Sequence, residues 1–232
     1  MAVTIDNTSI TYYNGSNQTT AFNSSQNRGT LIDMQVWMAA GSYTWTKPAG
    51  CTYVQVKLVG GGGGGCGYCE SGGAGGYAEG FYDVTGVSSV AVTVGGGGGG
   101  TGYYQAANDG GTTSFGGYLY ATGGYGANRN YSHSGGHGGV GSGGQVNLYG
   151  AAGRGHNNGV GSWTGGVGGG SYFGGGATNA RNHSHLSFAY MGKMKSGAPG
   201  TGGPGAQTDG SQTGGNGFAP GESGMVVVYA FS

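Results

Sequence analysis

Alternating apolar and polar positions mark short β-strands along this chain, and no window carries a helical period longer than about two turns. The clearest strand is Tyr53–Val59. Val54, Val56 and Leu58 fall on one face, while Gln55 and Lys57 fall on the other. Ser89–Val94 repeats the pattern with Val90, Val92 and Val94. Further strands are expected at 3–5, 9–13, 30–38, 41–47, 76–82, 112–115, 118–122 and 225–230, with turns at Asn14-Gly15, Pro48-Ala49-Gly50 and Gly116-Gly117.

Both clear strands end in glycine: Gly60–Gly65 follows one and Gly95–Gly100 the other. Between Gly123 and Gly224 the alternation gives way to glycine pairs and triplets, interrupted by polar or aromatic inserts of varied sequence. With 63 glycines in 232 residues, composition alone would suggest a disordered chain. The 17 tyrosines, 7 phenylalanines and 3 tryptophans argue otherwise, because disordered chains are poor in aromatics. Charged residues are only 7% and formal net charge is zero, which removes the basic footprint expected of a nucleic-acid partner. No apolar run reaches the ~20 residues of a membrane-spanning helix. The opening Met-Ala-Val-Thr-Ile-Asp shows neither a basic nor an apolar leader region, so synthesis in a cytoplasm without a signal peptide is expected.

Glycine segments have one physical advantage. In the extended threefold conformation, at roughly 3.1 Å per residue, bare backbones can approach until N–H and C=O groups bond between segments. The expected fold is therefore all-β: a small sandwich-like base with a glycine-rich body and long surface loops. The body is read either as polyglycine-II helices or as irregular glycine-rich loops. The chain divides into an N-terminal attachment or trimerisation segment (1–40), a β domain (41–122 with 223–232) and a glycine-rich loop region carrying recognition inserts (123–222).

Ser9–Ala21, reading S-I-T-Y-Y-N-G-S-N-Q-T-T-A, resembles a segment common in bacteriophage tail fibres. The phrase Gly41–Gly50, G-S-Y-T-W-T-K-P-A-G, leading into Val54–Gly65, is similar to the approach to the glycine-rich domain of such fibres. Asn14-Gly15-Ser16 departs from the usual Asp-Gly-Thr and leaves the turn intact. The resemblance implies a virion protein, homotrimeric, at a tail fibre or tail tip. Its partners would be other tail-fibre or baseplate proteins and a host surface glycan or outer-membrane protein, without nucleic acid or membrane insertion. A receptor-binding adhesin is the leading reading; a structural connector or cap, and a polysaccharide depolymerase, are the alternatives.

No catalytic set stands out. Eight Asp and Glu are scattered, and nothing selects Glu70 with Glu79 or Asp83 as a glycosidase pair. Gly-x-Gly-x-x-Gly matches are expected by chance at this glycine content, and no P-loop pattern occurs. Neither pattern calls for a cofactor. Cys66-Gly67-Tyr68-Cys69 lacks the second cysteine pair of a zinc ribbon and is read as free thiols rather than metal or disulfide. His183 and His185 are a weak metal candidate, since alternate residues of a strand face one way.

Tyr-, Ser-, Gly- and Asn-rich loops on a rigid scaffold supply broad contact with adaptable hydrogen bonding. The receptor-binding candidates are accordingly Tyr103, Tyr104, Asn128, Arg129, Asn130, Tyr131, His133, Trp163, Tyr172, Phe173, Arg181, His183, His185, Phe188 and Tyr190.

Overall fold

The computed structural model describes residues 4–5, 10–11, 17–18, 29–66, 70–101, 105–128, 135–155, 166–176, 197–205 and 220–232. Among the described residues there are thirteen strands. β1 (Thr4–Ile5), β2 (Ile10–Thr11) and β3 (Asn17–Gln18) form a small N-terminal sheet. The remainder build two five-stranded antiparallel sheets. One has the order β12-β7-β6-β13-β4, from Val146–Leu148, Tyr77–Asp83, Tyr53–Val59, Met225–Phe231 and Leu31–Trp37. The other has the order β11-β10-β9-β8-β5, from Gly141–Ser142, Leu119–Ala121, Thr113–Phe115, Ser89–Val94 and Gly41–Thr46. The all-β expectation holds, and among the described residues there is no helix.

The sheets face each other across a side-chain core. Val54, Val56, Leu58, Val226 and Val228 meet Trp45, Val90, Val92, Phe115 and Leu119, all buried. Trp45 meets Phe115 edge-on, with ring centroids 5.7 Å apart. Period-two alternation explains this core, since each strand sends every second residue inward. The edge strand β4 inverts the rule. Asp33, Gln35 and Trp37 pair in register with the inward-facing Ala230, Val228 and Val226. Its apolar residues Ile32, Met34 and Val36 remain exposed. The Gln145–Tyr149 stretch, read from sequence as an insert in the loop region, supplies β12, which pairs with β7.

Beyond the sandwich the chain forms a lattice of backbone. The N–H groups of Gly60 and Gly63 donate to Gly76 and Gly73. Those of Gly61 and Gly64 donate to Gly111 and Asn108, and that of Gly62 to Glu222. The carbonyls follow the same rhythm. Gly61 and Gly64 accept from Gly124 and Ala127, Gly62 and Gly65 from Gly98 and Thr101, and Gly63 from Gly203, all at 2.8–3.1 Å. Every third residue thus addresses the same neighbour, which is the threefold period of polyglycine II. The 60–65 segment is surrounded by 71–76, 107–111, 221–224, 122–127, 95–101 and 200–205. The 71–76 segment donates with the same period, from Ser71 and Ala74 to 151–154, Gly72 and Gly75 to 200–203, and Gly73 and Gly76 to 122–125.

This spacing leaves no room for Cβ. A methyl on Gly62 would fall well under 3.0 Å from the Thr201 carbonyl oxygen, and one on Gly64 from that of Gly99. Side chains complete the hydrogen bonding at the margins: Thr113 Oγ1 accepts from Gly95 N at 3.0 Å, and Asp109 Oδ1 from Gly126 N at 2.8 Å.

Candidate functional site

Strand direction decides where the inserts emerge. β6, β8, β10 and β12 each run into an outgoing bundle segment, at 60–65, 95–101, 122–127 and 150–155. The chain then returns along 71–76, 107–111, 135–140 and 166–170. Another outgoing segment, 200–205, starts beside the sandwich, where Gly200 approaches Val59.

The outgoing segments therefore end together, away from the sheets. Cys66 and Thr101 form a parallel bridge there. Cys66 N donates to the Glu70 carbonyl, and Thr101 Oγ1 to the Gln105 carbonyl at 2.9 Å. Ala107 N donates to the Ala127 carbonyl, Arg154 N to that of Val167 and Gly205 N to that of Gly166. Cys66, Ala107 and Ala127 pack as a small apolar cluster under this end. The inserts 67–69, 102–104, 129–134 and 156–165 have both flanks at this distal end, and 206–219 has its outgoing flank there.

The lattice of bare backbone and its long run of short-spaced glycines correspond to a known type of domain. The glycine-rich domain family model matches residues 38–231. The chain belongs to the glycine-rich domain family. No curated protein matches it.

Within this glycine-rich domain the predicted recognition residues separate into groups. Tyr103, Tyr104, Arg129, Asn130, Tyr131, His133 and Trp163 lie outside the described residues, in inserts flanked at the distal end. Asn128 is described there, half-buried at the start of one insert. Arg181, His183, His185, Phe188 and Tyr190 also lie outside the described residues, but their insert has different flanks. Gly176 neighbours Gly168, and Gly197 neighbours Thr201 and Glu222, which places these flanks along the bundle's side toward the base.

Tyr172 and Phe173 stand apart from the distal group. Their turn, closed by the Ser171–Gly174 bridge, folds back to the sandwich. The Tyr172 ring stacks on Tyr77 at 3.7 Å, and Phe173 packs against the cluster of Val59, Met225 and Val227. Aromatic identity alone could not distinguish a contact residue from a clasp between bundle and sheet. Conversely, Gln105 and Arg154 are exposed at the distal end and were absent from the sequence-derived set. Arg154 lies within Gly-Arg-Gly-His, and the scarcity of charge in this chain was the signal that could have found it.

Among the described residues an ion pair with its hydrogen bonds lies on the outer face of the β12-β7-β6-β13-β4 sheet. Tyr77 Oη donates to Glu79 Oε2 at 2.6 Å, Gln55 Nε2 donates to Glu79 Oε1 at 2.7 Å, and Lys57 Nζ lies 3.3 Å from the same carboxylate. Burial pushes the Glu79 carboxyl up, but Tyr77, Lys57 and Gln55 together outweigh it and hold the group below its ordinary value. Burial, and then the bond to Glu79, pushes the Tyr77 hydroxyl up. Glu70 is buried beyond the other end of the 71–76 segment, accepting a bond from the Cys66 thiol at 3.6 Å. Glu70 and Glu79 are therefore separated by the length of a bundle segment. Among the described residues Cys51 is a free thiol, and no group of three or more His, Cys, Asp or Glu is placed to hold a metal. Cys69 and the His183/His185 pair lie outside those residues.

Proposed function

We propose that this protein is a bacteriophage tail-fibre component whose distal end binds the host cell surface non-covalently, as an adhesin. The observation that carries the reading is the grouping of insert flanks. Segments from β6, β8, β10 and β12 deliver inserts rich in Tyr, Asn, His and Trp to one end of the bundle. A lattice that bars a methyl group at interior glycines such as Gly62 and Gly64 supplies a rigid platform, and its inserts can vary without disturbing it. Tyr and Trp rings suit stacking on sugars, while Asn and Arg suit bonding to hydroxyls and phosphates. Several copies on one virion would raise avidity without tight single contacts.

The opposite end suits attachment. β4 is an edge strand with Ile32, Met34 and Val36 exposed at 41%, 54% and 45%. Soluble proteins usually protect such edges with charge or proline. An apolar edge on the sandwich, away from the distal inserts, fits docking to the rest of a fibre, and it also supports the second reading, a connector without receptor contact.

The test replaces 129–134 and 156–165 with Gly-Ser linkers of equal length in the phage genome. Virions should assemble normally and adsorb at least about tenfold more slowly, since lost contacts multiply across copies. Normal adsorption by assembled virions would sink the adhesin reading and favour the connector.

A further inference from the structure

The segments 122–127, 135–140 and 150–154 form one side of the bundle. They are neighbours in that order: Tyr125 N donates to the His137 carbonyl, and Gly153 N to the Gly136 carbonyl. The threefold period sends an outward position to the surface every three residues, roughly 9 Å along the axis. Those positions hold the larger side chains. Tyr125 is 55% exposed and Val140 39%, and His137 and Arg154 are also exposed. Tyr149, bridged to Val140, is 78% exposed. The Tyr125 and His137 rings meet edge to face at 6.5 Å.

A tyrosine ring left three-quarters in water makes little contribution to packing. The Tyr149 ring and the half-exposed Tyr125 ring on one side, with an imidazole between bundle neighbours and an arginine at the distal end, form an aromatic strip with a cation. The three segments contain no carboxylate. Of the neighbouring carboxylates, Glu70 precedes Ser71, whose N–H bonds the Arg154 carbonyl, but is buried and accepts from the Cys66 thiol, and Asp109 on the adjoining 107–111 segment accepts from Gly126 N. Among the described residues the one ion pair is Lys57–Glu79, on the sandwich, so Arg154 has no carboxylate partner there. Guanidinium binds carboxylate and phosphate in bidentate fashion, and aromatic faces suit the apolar faces of sugar rings. The lattice also fixes the spacing of these groups before any ligand arrives, which lowers the entropy lost on binding.

We propose that this side of the bundle is a second binding surface, for an acidic polysaccharide whose sugars lie on Tyr149 and Tyr125 and whose anionic group meets Arg154. The proposal rests on the adhesin reading only in taking its ligand from a host surface. An extended polymer held at the distal end would continue down this side, so the two surfaces act on one chain.

The test uses the purified full chain on a printed panel of acidic and neutral bacterial polysaccharides. Binding should be confined to acidic members and weaken with salt. Arg154→Gln and Tyr149→Ser should each lower affinity about tenfold, as expected for a lost charge-assisted bond or a lost stacking contact. Unchanged thermal midpoints would show that both variants fold. Tyr53→Ser, on the sandwich, should change nothing. Equal binding to neutral polymers, no binding to any panel member, or wild-type affinity in both variants overturns the proposal. Virion adsorption separates it from the distal reading. If adsorption falls only with the Gly-Ser inserts, the side surface is rejected and the distal one stands. If it falls only with Arg154→Gln and Tyr149→Ser, the reverse holds.

Discussion

The sandwich and the bundle solve one problem by opposite means. In the sandwich, side chains such as Trp45, Leu58 and Phe115 exclude water, and sheet ladders satisfy the backbone. In the bundle there are almost no side chains to bury, and the backbone itself is the packing material. Its N–H and C=O groups bond laterally in several directions from a single segment, which a strand restricted to two partners does not do. The difference shows up in what each region tolerates. A side-chain core can lose a methyl group and relax in part. At an interior glycine such as Gly62 the backbone lattice cannot gain one, because the obstructing atom is a neighbour's carbonyl. The lattice also has little hydrophobic driving force against glycine's large ordering entropy. The β-strands that run directly into its segments supply the alignment that glycine alone would lack.

The sharpest way to break this comparison is Gly62→Ala. The added Cβ would strike the Thr201 carbonyl, a backbone atom in a segment that is itself bonded on several sides. We expect a loss on the order of 4–5 kcal/mol, the range reserved for specific structural conflicts. The thermal midpoint should fall by about 10–15 °C for a chain of this size. Gly117→Ala is the matched control: nothing lies within 4 Å of its Cβ position. Its midpoint should stay within about 2 °C of wild type. Equal midpoints for the two variants would mean that the bundle is not close-packed. The next effect is on the other side of the comparison. Leu58→Ala empties part of the sandwich core and should cost about 2–5 kcal/mol. Hydrogen exchange distinguishes the two losses. Gly62→Ala should first deprotect the amides of 60–65 and their neighbours, whereas Leu58→Ala should first deprotect β6 and β13.

Period-two alternation made most of the sandwich legible. Tyr53–Val59 and Ser89–Val94 carry their inward valines where the pattern places them, and Trp45 follows the same rule in β5. β12 escaped because three residues, Val146–Leu148, are too few to establish a period between glycine clusters. The two glycine runs announced a region without Cβ, yet the partners of those runs were not readable. Segments 71–76 and 107–111 contain Ser71, Ala74, Asn108 and Asp109, and they enter the lattice through backbone groups that every residue possesses. Sequence carries no mark of which carbonyl a glycine N–H will meet. The same limit applied to Tyr172 and Phe173, whose composition suits recognition and whose position suits a clasp on Tyr77 and Val59.

That clasp lies where the two regions meet, and it yields the smallest expected effect, a dependence on pH. Tyr77 opens β7 directly after the 71–76 segment, stacks on Tyr172 and bonds Glu79. Glu79 is held below its ordinary value in the folded chain, so the folded state binds that proton more weakly than the unfolded one. Its stabilisation is complete above the ordinary value of 4.5 and is lost as pH falls through the lower folded value. Tyr77 is shifted the other way, so its contribution is complete below its ordinary value of 10.0 and is lost as pH rises beyond it. The contribution of these two groups should therefore be flat between these limits and decline at both ends. Glu79→Gln should shallow the acid decline, because an amide no longer carries the charge that Lys57 and Tyr77 stabilise. Tyr77→Phe should remove this group's share of the alkaline decline and weaken the acid one, because it deletes the donor to Glu79. Unfolding midpoints measured across the pH range check both variants. Acid and alkaline slopes equal to wild type in Tyr77→Phe would show that the junction between sandwich and bundle is held by ring stacking alone.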